Sequence, residues 1–471
     1  MSEKSVARLT AVVVTLAVVM DLLDTTVVTV AVPTLQEEFG AGPGPVQWVV
    51  TAYLLAIAVS LPLSGWVSRR FGQGRAFLVA LGVFGTASAL TAAAWSLPTL
   101  IVFRAIQGLG GGLILPIGMA LLFAAFPADQ RAKASAVISV PAALAPVLGP
   151  VIGGWFVQEA GWRWVFWLNV PIAAAAILAG RRLRLQRPAS PGARFDLAGV
   201  LLVSAGLVLL VLGLTGFESG ADAPIPLAAV AASLLLLAAF VALQLRREHP
   251  LLNVRLLGRR EICSSNLAFL LTSVSYGGLL FVLPLYLQGQ RGMPPLHAGL
   301  LTSLHALGIV LAIPFATRFT RRFGPRVPLV AGLGLMAAGA VMLAAIEAGP
   351  EWLTWAAILT AGAGFGTTIV PLQTATVAGL NGAELADGST MVNMARQIGM
   401  AVGVAAAAAA LTVAAGIEPS RTGYSGGLLL TAGAAVLAIV PSRAFREPKP
   451  ASRDPEHAPK QGEGTGATRA L

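Results

Sequence analysis

The sequence predicts an all-α polytopic membrane protein with fourteen transmembrane helices and with both termini in the cytoplasm. Two observations carry this prediction: the composition of the chain and the placement of its positive charges. Of the 471 residues, 56% are hydrophobic and only 11% are charged, whereas about 25% of the residues are charged in an ordinary soluble domain. This composition excludes a soluble enzyme, a disordered scaffold and a secreted domain built on disulfides.

Long apolar segments recur along almost the whole chain. A helix needs about 20 apolar residues to cross a bilayer, and the connections between the segments are mostly short and carry Pro, Gly or charge, as turns do. The fourteen predicted spans are 9–32, 46–66, 76–95, 99–123, 134–157, 164–180, 197–216, 225–245, 262–287, 298–316, 327–346, 352–372, 390–415 and 426–440.

The positive charges give these spans an orientation. With the N-terminus inside, 27 of the 32 Lys and Arg residues lie in cytoplasmic loops and tails, and only three lie in outer loops. An excess of Lys and Arg is typical of the cytoplasmic side, and placing the N-terminus outside would reverse it. The net charge of +11 therefore reflects topology, and we expect no nucleic-acid partner.

An internal repeat indicates how the helices are organised. The tetrapeptide RRFG follows the second span at 69–72 and the tenth span at 321–324, an offset of 252 residues. Two parallel six-helix halves with an extra helix pair between them explain this offset, and such repeats are typical of secondary transporters. We divide the chain into an N-terminal half (1–195), the extra pair with its linking cytoplasmic loop (196–261), a C-terminal half (262–442) and a disordered cytoplasmic tail (443–471).

Four motifs stand in order on the predicted helices. They are LDTTVVTVAVP at 23–33, the loop between the second and third helices at 65–75, RAIQG at 104–108 and GPVIGG at 149–154. Together they resemble the motifs of the major facilitator superfamily, and within it those of the fourteen-helix drug:proton antiporters. The resemblance extends over roughly residues 18–440 and implies the fold of that superfamily.

The resemblance also assigns expected roles to two of these motifs. In the fifth helix it implies a close, dry contact that prevents leak and favours antiport, although tight packing alone would explain the same residues, Gly149, Pro150, Gly153 and Gly154. In the cytoplasmic loop it implies a gate that holds the two halves together, formed by Gly65, Arg69, Arg70, Gly72 and Arg75. The family usually has an aspartate where this chain has Arg69, so that latch is in doubt.

Asp21 and Asp24 are the only acidic residues inside any predicted span. A charge at membrane depth is costly and by default marks function, and a spacing of three places both side chains near one helix face. Two carboxylates in a low dielectric cannot both ionise cheaply, so we predict that one of them binds and releases a proton. Asp24 is preferred because it lies in the first-helix motif. The alternative is that one carboxylate neutralises an arginine and the other points into water.

Arg104, in the fourth helix, is the predicted partner of Asp24. At about 1.5 Å per residue, Asp24 lies roughly 12 Å and Arg104 roughly 8 Å below the outer ends of their helices. A long arginine side chain can close this difference. The pair is either a static structural ion pair or, as the resemblance implies, a device by which Arg104 modulates the affinity of Asp24 for protons.

The predicted substrate-binding residues are Tyr53, Tyr276, Gln373, Asn393 and Arg396. An apolar pocket with few polar groups suits an amphipathic organic molecule, although aromatic residues in membrane helices also serve packing. Two interpretations of Arg396 stay open. It either forms a structural clamp to the nearby acids Glu384 and Asp387 or to backbone carbonyls, or it contacts the substrate or a gate.

These observations predict a proton-coupled antiporter that exports hydrophobic or amphipathic, drug-like or antibiotic-like compounds by alternating access. A specific metabolite exporter or importer on the same fold is the alternative, and it predicts a more polar cavity. We expect no enzymatic activity, no cofactor beyond the proton gradient and no metal. The expected partners are a small hydrophobic organic substrate, protons and the lipid bilayer, and we expect a monomer in a bacterial inner membrane.

Overall fold

The computed structural model describes residues 3–126, 131–181, 195–216, 224–247, 250–346, 350–377, 380, 384–415 and 421–445. Every regular element within these ranges is a helix, which confirms the predicted fold class. The predicted disordered tail, 443–471, lies outside the described residues from 446 onward.

The N-terminal half and the extra pair contribute eight long helices to the described residues. They are α1 (Glu3–Phe39), α2 (Trp48–Ser60), α3 (Gln73–Ala92), α4 (Leu97–Ala125), α5 (Arg131–Glu159), α6 (Asn169–Gly180), α7 (Leu197–Gly216) and α8 (Pro224–Arg246). Three short helices flank α2 and α6, namely Pro43–Val46, Leu63–Phe71 and Arg163–Trp167.

The C-terminal half contributes six further long helices. They are α9 (Arg260–Leu285), α10 (Pro295–Phe323), α11 (Arg326–Ala345), α12 (Glu351–Val377), α13 (Glu384–Ala415) and α14 (Arg421–Leu437). A 3₁₀ turn at Val254–Gly258 precedes α9, a π turn at Tyr286–Gln290 extends it, and a short helix at Ile439–Ser442 follows α14.

Thirteen helices of the described chain are long and apolar enough to cross a membrane. The additional helix α5 has 29 residues, enough for about 43 Å at 1.5 Å per residue. The count of fourteen spans, the domain boundaries and the cytoplasmic position of both termini remain predictions. Below, the inner end of a helix is the end that is predicted to face the cytoplasm.

Helix pairing repeats between the two halves. In the N-terminal half α1 packs against α5 and α6, and α4 packs against α2 and α3. In the C-terminal half α9 packs against α13 and α14 in the same way, and α12 packs against α10 and α11. The two halves therefore share one arrangement of helices, as expected for a transporter built from parallel repeats.

The two RRFG segments end their helices with the same geometry. Gly72 has φ of 81° and Gly324 has φ of 76°, in the region that only glycine enters at little steric cost. Phe71 and Phe323 are the last residues of the preceding helical segments. The sequence repeat thus marks equivalent helix ends in the two halves.

The halves meet through two helix pairs, and the extra helices lie beside one of them. α5 packs against α10, and α2 packs against α13. α7 contacts both α2 and α13, while α8 packs mainly on α7. The extra pair therefore lies along the α2–α13 side of the contact between the halves.

Candidate functional site

The Asp24 carboxylate is the centre of a buried polar cluster in the N-terminal half. Its Oδ2 accepts a hydrogen bond from Nη1 of Arg104 at 2.5 Å. Its Oδ1 accepts hydrogen bonds from Nε2 of Gln107 at 2.9 Å and from Nδ2 of Asn169 at 2.7 Å. Both acceptor atoms of Asp24 are therefore engaged by donors from α4 and α6.

Arg104 is held as firmly as its partner. Only 1% of its surface is exposed, and its Nε donates to the backbone carbonyl of Val49 at 3.1 Å. Its guanidinium carbon lies 4.0 Å from the centroid of the Tyr53 ring, within the range of a cation–π contact. Buried charges of this kind are tolerated when they are paired and their remaining donors are hydrogen-bonded. The predicted ion pair between α1 and α4 is present, and its surroundings are those of a structural pair.

Asp21 has a different environment, although it lies one turn away on the same helix. Its Oδ1 accepts a hydrogen bond from the Tyr53 hydroxyl at 2.7 Å, and no other hydrogen bond or ion pair to its carboxylate exists among the described residues. Its side chain is half-buried, whereas Asp24 is 1% exposed. Asp21 is thus a membrane-embedded carboxylate with one neutral partner and with access to its surroundings.

The position of Asp21 is explained by the way in which the helices close above it. Thr25 and Thr29 of α1 meet α2, α9 and α13 around a gap of about 10 Å³, which has room for about one water molecule. Farther out, Nε2 of Gln288 donates to the carbonyl of Val30 at 3.0 Å, across the two halves. Asp21 lies one turn inward from Thr25, so it lies just inside the closed outer part of the protein.

The antiporter-like motif of α5 lies between two neighbouring helices. A side chain at Gly149 would overlap Thr26 of α1, and one at Gly153 would contact the backbone of Val27. On the opposite side, Gly154 faces Pro295 at the start of α10. Close approach of this kind is what small residues permit in membrane helices. The motif residues therefore bring α5 against its own half and against the other half at once.

Replacing Gly154 with valine is expected to impair transport while the protein still folds. A Cβ at this position would lie 2.8 Å from Cα of Leu296, and overpacking of this kind costs about 1–3 kcal/mol. The cost falls on the state in which the outer ends of α5 and α10 touch. Efflux rates in vesicles containing the variant should fall several-fold.

Gly334→Val is the matched control, because nothing lies within 4 Å of a Cβ at Gly334 of α11. Equal efflux rates of the two variants would show that the α5–α10 contact does not limit transport.

The predicted substrate-binding residues do not form one cluster. Tyr53 is fully buried and is engaged by Asp21, through a hydrogen bond from its hydroxyl, and by the guanidinium of Arg104 over its ring. Asn393 donates to the carbonyl of Ser389 on its own helix at 2.9 Å, and Gln373 is exposed at the inner end of α12. Tyr276 and Arg396 are half-buried and belong to the C-terminal half.

Tyr276 lies in a row of three rings. Its ring stacks on Phe365 at 4.1 Å with an angle of 8° between the planes, and His305 lies 5.6 Å away on a nearly parallel plane. The row joins α9, α10 and α12. Tyr276 and Phe365 are half-buried, whereas His305 is only 3% exposed.

The predicted clamp between Arg396 and the acids of its own helix is not formed by Glu384. Glu384 accepts two hydrogen bonds from the guanidinium of Arg259, at 2.7 and 2.9 Å. No ion pair or hydrogen bond of Arg396 exists among the described residues, and its Nε is buried without a partner. In this structure a clamp to Glu384 is therefore not formed.

The predicted gating loop is largely exposed. Arg69 and Arg70 lie at the end of the Leu63–Phe71 helix with exposed side chains, and neither has an ion pair within the described ranges. A Cβ added at Gly65 would lie 3.4 Å from Nη1 of Arg69, one turn farther along the same helix. The structure thus offers Arg69 no acidic partner among the residues that it describes.

Sequence reasoning missed two members of the Asp24 cluster. Gln107 is part of the RAIQG motif and lies three residues after Arg104, so its spacing already placed it on the same face of α4. Asn169 at the start of α6 also donates to Ser88 of α3 at 3.1 Å. Its only sequence signal is that it is a polar residue in an apolar span.

The fold and this site define a secondary transporter of the membrane. The sequence profile of the Major Facilitator Superfamily matches residues 14–404 and also 265–470. The chain is 35% identical to the "Multidrug resistance protein B homolog" of Mycobacterium tuberculosis, over 86% of this chain and 76% of the relative. It is 34% identical to the "Tetracenomycin C resistance and export protein" of Streptomyces glaucescens, over 71% of this chain and 63% of the relative.

Solved structures give the same fold at low identity. The structure of the peptide transporter POT in complex with sulfate has a TM-score of 0.68 at 14% identity and covers 94% of this chain and 98% of its own. The xylose transporter XylE from E. coli has a TM-score of 0.64 at 15% identity, over 94% and 99% of the two chains. The chain belongs to the Major Facilitator Superfamily and is a multi-pass protein of the bacterial inner membrane.

Proposed function

We propose that the protein exports hydrophobic or amphipathic drug-like compounds in exchange for protons, by alternating access of a site between its two halves. The names of the two relatives described above support export of drugs and antibiotics. The contacts between α5 and α10 and between α2 and α13 supply two surfaces about which the halves can rock.

The proton carrier in this proposal is Asp21, and the unequal environment of the two carboxylates is the observation that carries it. Protonating Asp24 would break its bond to Arg104 and leave a buried arginine without its counter-charge, which is strongly unfavourable. Protonating Asp21 disturbs only one hydrogen bond, to a hydroxyl that can itself accept. Asp21 can therefore change its charge while Asp24 and Arg104 keep theirs. This assignment departs from the sequence-based preference for Asp24.

Exchange follows if the substrate and the proton exclude each other at Asp21. A compound that enters from the cytoplasm displaces the proton from Asp21, and a proton from the outside later displaces the compound. One proton that crosses about 100 mV supplies about 2.3 kcal/mol. This free energy supports a substrate gradient of roughly 40-fold.

The test is transport by the purified full-length protein in proteoliposomes. Ethidium and rhodamine B are suitable fluorescent probes, and a pH gradient is imposed across the vesicle wall. We expect dye to move against its gradient while protons move in the opposite direction, and we expect collapse of the pH gradient by a protonophore to stop it. Dye movement that is unaffected by the pH gradient would contradict proton coupling.

A specific metabolite transporter is the second candidate. The polar side chains of Arg396 and Gln397 in the C-terminal half favour it, because they suit a polar substrate. It predicts that neither dye moves, while one polar compound does. Transport of both dyes would exclude this candidate.

A further inference from the structure

Arg396 is a cation of the C-terminal half that has no hydrogen bond or ion pair among the described residues. Its Nε is buried and makes no hydrogen bond, and the guanidinium forms no ion pair with any described residue. Charged groups inside a membrane protein are normally paired or turned toward a functional cavity. Buried polar atoms without a partner are uncommon and call for an explanation such as a missing ligand or water.

Neither acid of its own helix forms an ion pair with Arg396 among the residues that the structure describes. Glu384 and Asp387 precede it by 12 and 9 residues on α13, about 18 and 14 Å along the helix axis. Glu384 is also occupied by Arg259. The hydroxyl of Tyr276 on α9 and the carboxylate of Asp21 on α1 lie within electrostatic range of Arg396.

Arg396 and Asp21 thus belong to the same region but to opposite halves. Arg396 lies one turn inward from Met400, and Asp21 lies one turn inward from Thr25; Met400 and Thr25 both line the closed gap. Both charged side chains are half-buried. Oε1 of Gln397, beside Arg396, is likewise buried without a partner.

From this arrangement we infer the charge pattern of the substrate: an aromatic, amphoteric compound whose acidic group binds Arg396 and whose cationic group binds Asp21. The inference rests on the proposed function, since it assigns the substrate class of the same site. A carboxylate or phenolate would supply the acceptor that the guanidinium lacks, and bonds of this charged type are about twice as strong as neutral ones. The half-buried rings of Tyr276 and Phe365 belong to the same half as Arg396 and offer an aromatic contact for the ring system of the compound.

A purely anionic compound would not suit exchange. Bound at Arg396, such a compound would cancel the attraction of the guanidinium for the Asp21 carboxylate. Asp21 would then bind a proton more readily, so that proton and substrate would bind together instead of in exchange. A compound that also carries a cationic group competes with the proton for Asp21. Only the amphoteric pattern satisfies Arg396 and preserves the competition that antiport requires.

The test compares rhodamine B, which carries a carboxylate and a cationic xanthene, with its ethyl ester, which keeps the cation and loses the acid. Binding of each dye to the full-length protein in lipid nanodiscs is measured by fluorescence anisotropy, for the wild type and for Arg396→Gln. The quantity of interest is the ratio of the two dissociation constants, ester over acid. A hydrogen bond to a charged group corresponds to roughly a tenfold or larger change, so we expect this ratio to fall at least about tenfold in Arg396→Gln.

Arg396→Lys keeps the charge without the guanidinium fork, and it should retain part of the preference for the acid. If Arg396→Gln does not fold, Arg396→Lys is the variant on which the ratio is measured. The inference would be overturned if the ratio were unchanged in the folded variants. It would also be overturned if the wild type bound the two dyes with equal affinity or bound neither measurably. Binding is measured without a pH gradient, so this failure is distinct from failure of proton-driven transport.

Discussion

Asp21→Asn is expected to abolish uphill, pH-driven efflux while substrate exchange without a gradient persists. Asparagine can keep a hydrogen bond to the Tyr53 hydroxyl but cannot take up or release a proton. The halves can still rock, because the hydrogen bond of Asp21 in this structure joins α1 to α2 of the same half. The measurement compares pH-driven accumulation of ethidium with exchange of labelled for unlabelled ethidium at equal pH, in the same vesicles.

Glu38→Gln is the matched control for this change. Glu38 forms an exposed ion pair with Arg163 at 3.1 Å, and exposed pairs contribute only about 0–1 kcal/mol. The same chemical change, carboxylate to amide, should therefore leave both activities intact. If Asp21→Asn still concentrates ethidium on a pH gradient, Asp21 does not carry the coupled proton.

Arg104→Gln is expected to produce the largest loss of stability among the substitutions considered. It leaves the Asp24 carboxylate buried without its counter-charge and removes the bond to the Val49 carbonyl. Breaking a buried pair by removing one partner costs about 3–5 kcal/mol. Unfolding of the purified protein in detergent, followed by heat or denaturant, should show a clear decrease in the midpoint.

The double variant Asp24→Asn with Arg104→Gln separates pairing from packing. Neutralising both partners removes the uncompensated charge, so the double variant should be more stable than Arg104→Gln alone, and the two effects should not be additive. Arg163→Gln, which breaks the exposed pair with Glu38, should change the midpoint little. A midpoint of Arg104→Gln that equals the wild type would contradict the structural role assigned to the pair.

Much of the fold follows from local properties of the sequence. The length of the apolar segments and the positions of Arg and Lys depend on the thickness and polarity of the bilayer, which are the same for every helix. Helix ends are less well predicted. α1 extends over Glu3–Phe39, beyond the predicted 9–32, because a helix continues through polar residues until a breaker such as Gly40 stops it.

The candidate site also has a part that the sequence predicts and a part that depends on how the helices pack. The spacing of Asp21 and Asp24 and the position of Arg104 were sufficient to predict a carboxylate pair and its counter-charge. The spacing does not predict which carboxylate has all its oxygens hydrogen-bonded. Gln107 and Asn169 belong to α4 and α6, and their distances to Asp24 depend on how these helices pack. The preference for Asp24 came from its motif position, whereas the function proposed above assigns the proton to Asp21.

The sequence by itself determined a helical membrane protein with two intramembrane acids, and it predicted two related halves and cytoplasmic termini, since each of these depends on composition, periodicity or spacing along one segment. The tertiary structure alone decided that Asp24 is paired with Arg104, that α5 packs against both α1 and α10, and that Arg396 has no hydrogen bond or ion pair among the described residues. These three facts depend on contacts between helices far apart in the chain. Such contacts are set by the packing of many side chains at once, so no single segment specifies them.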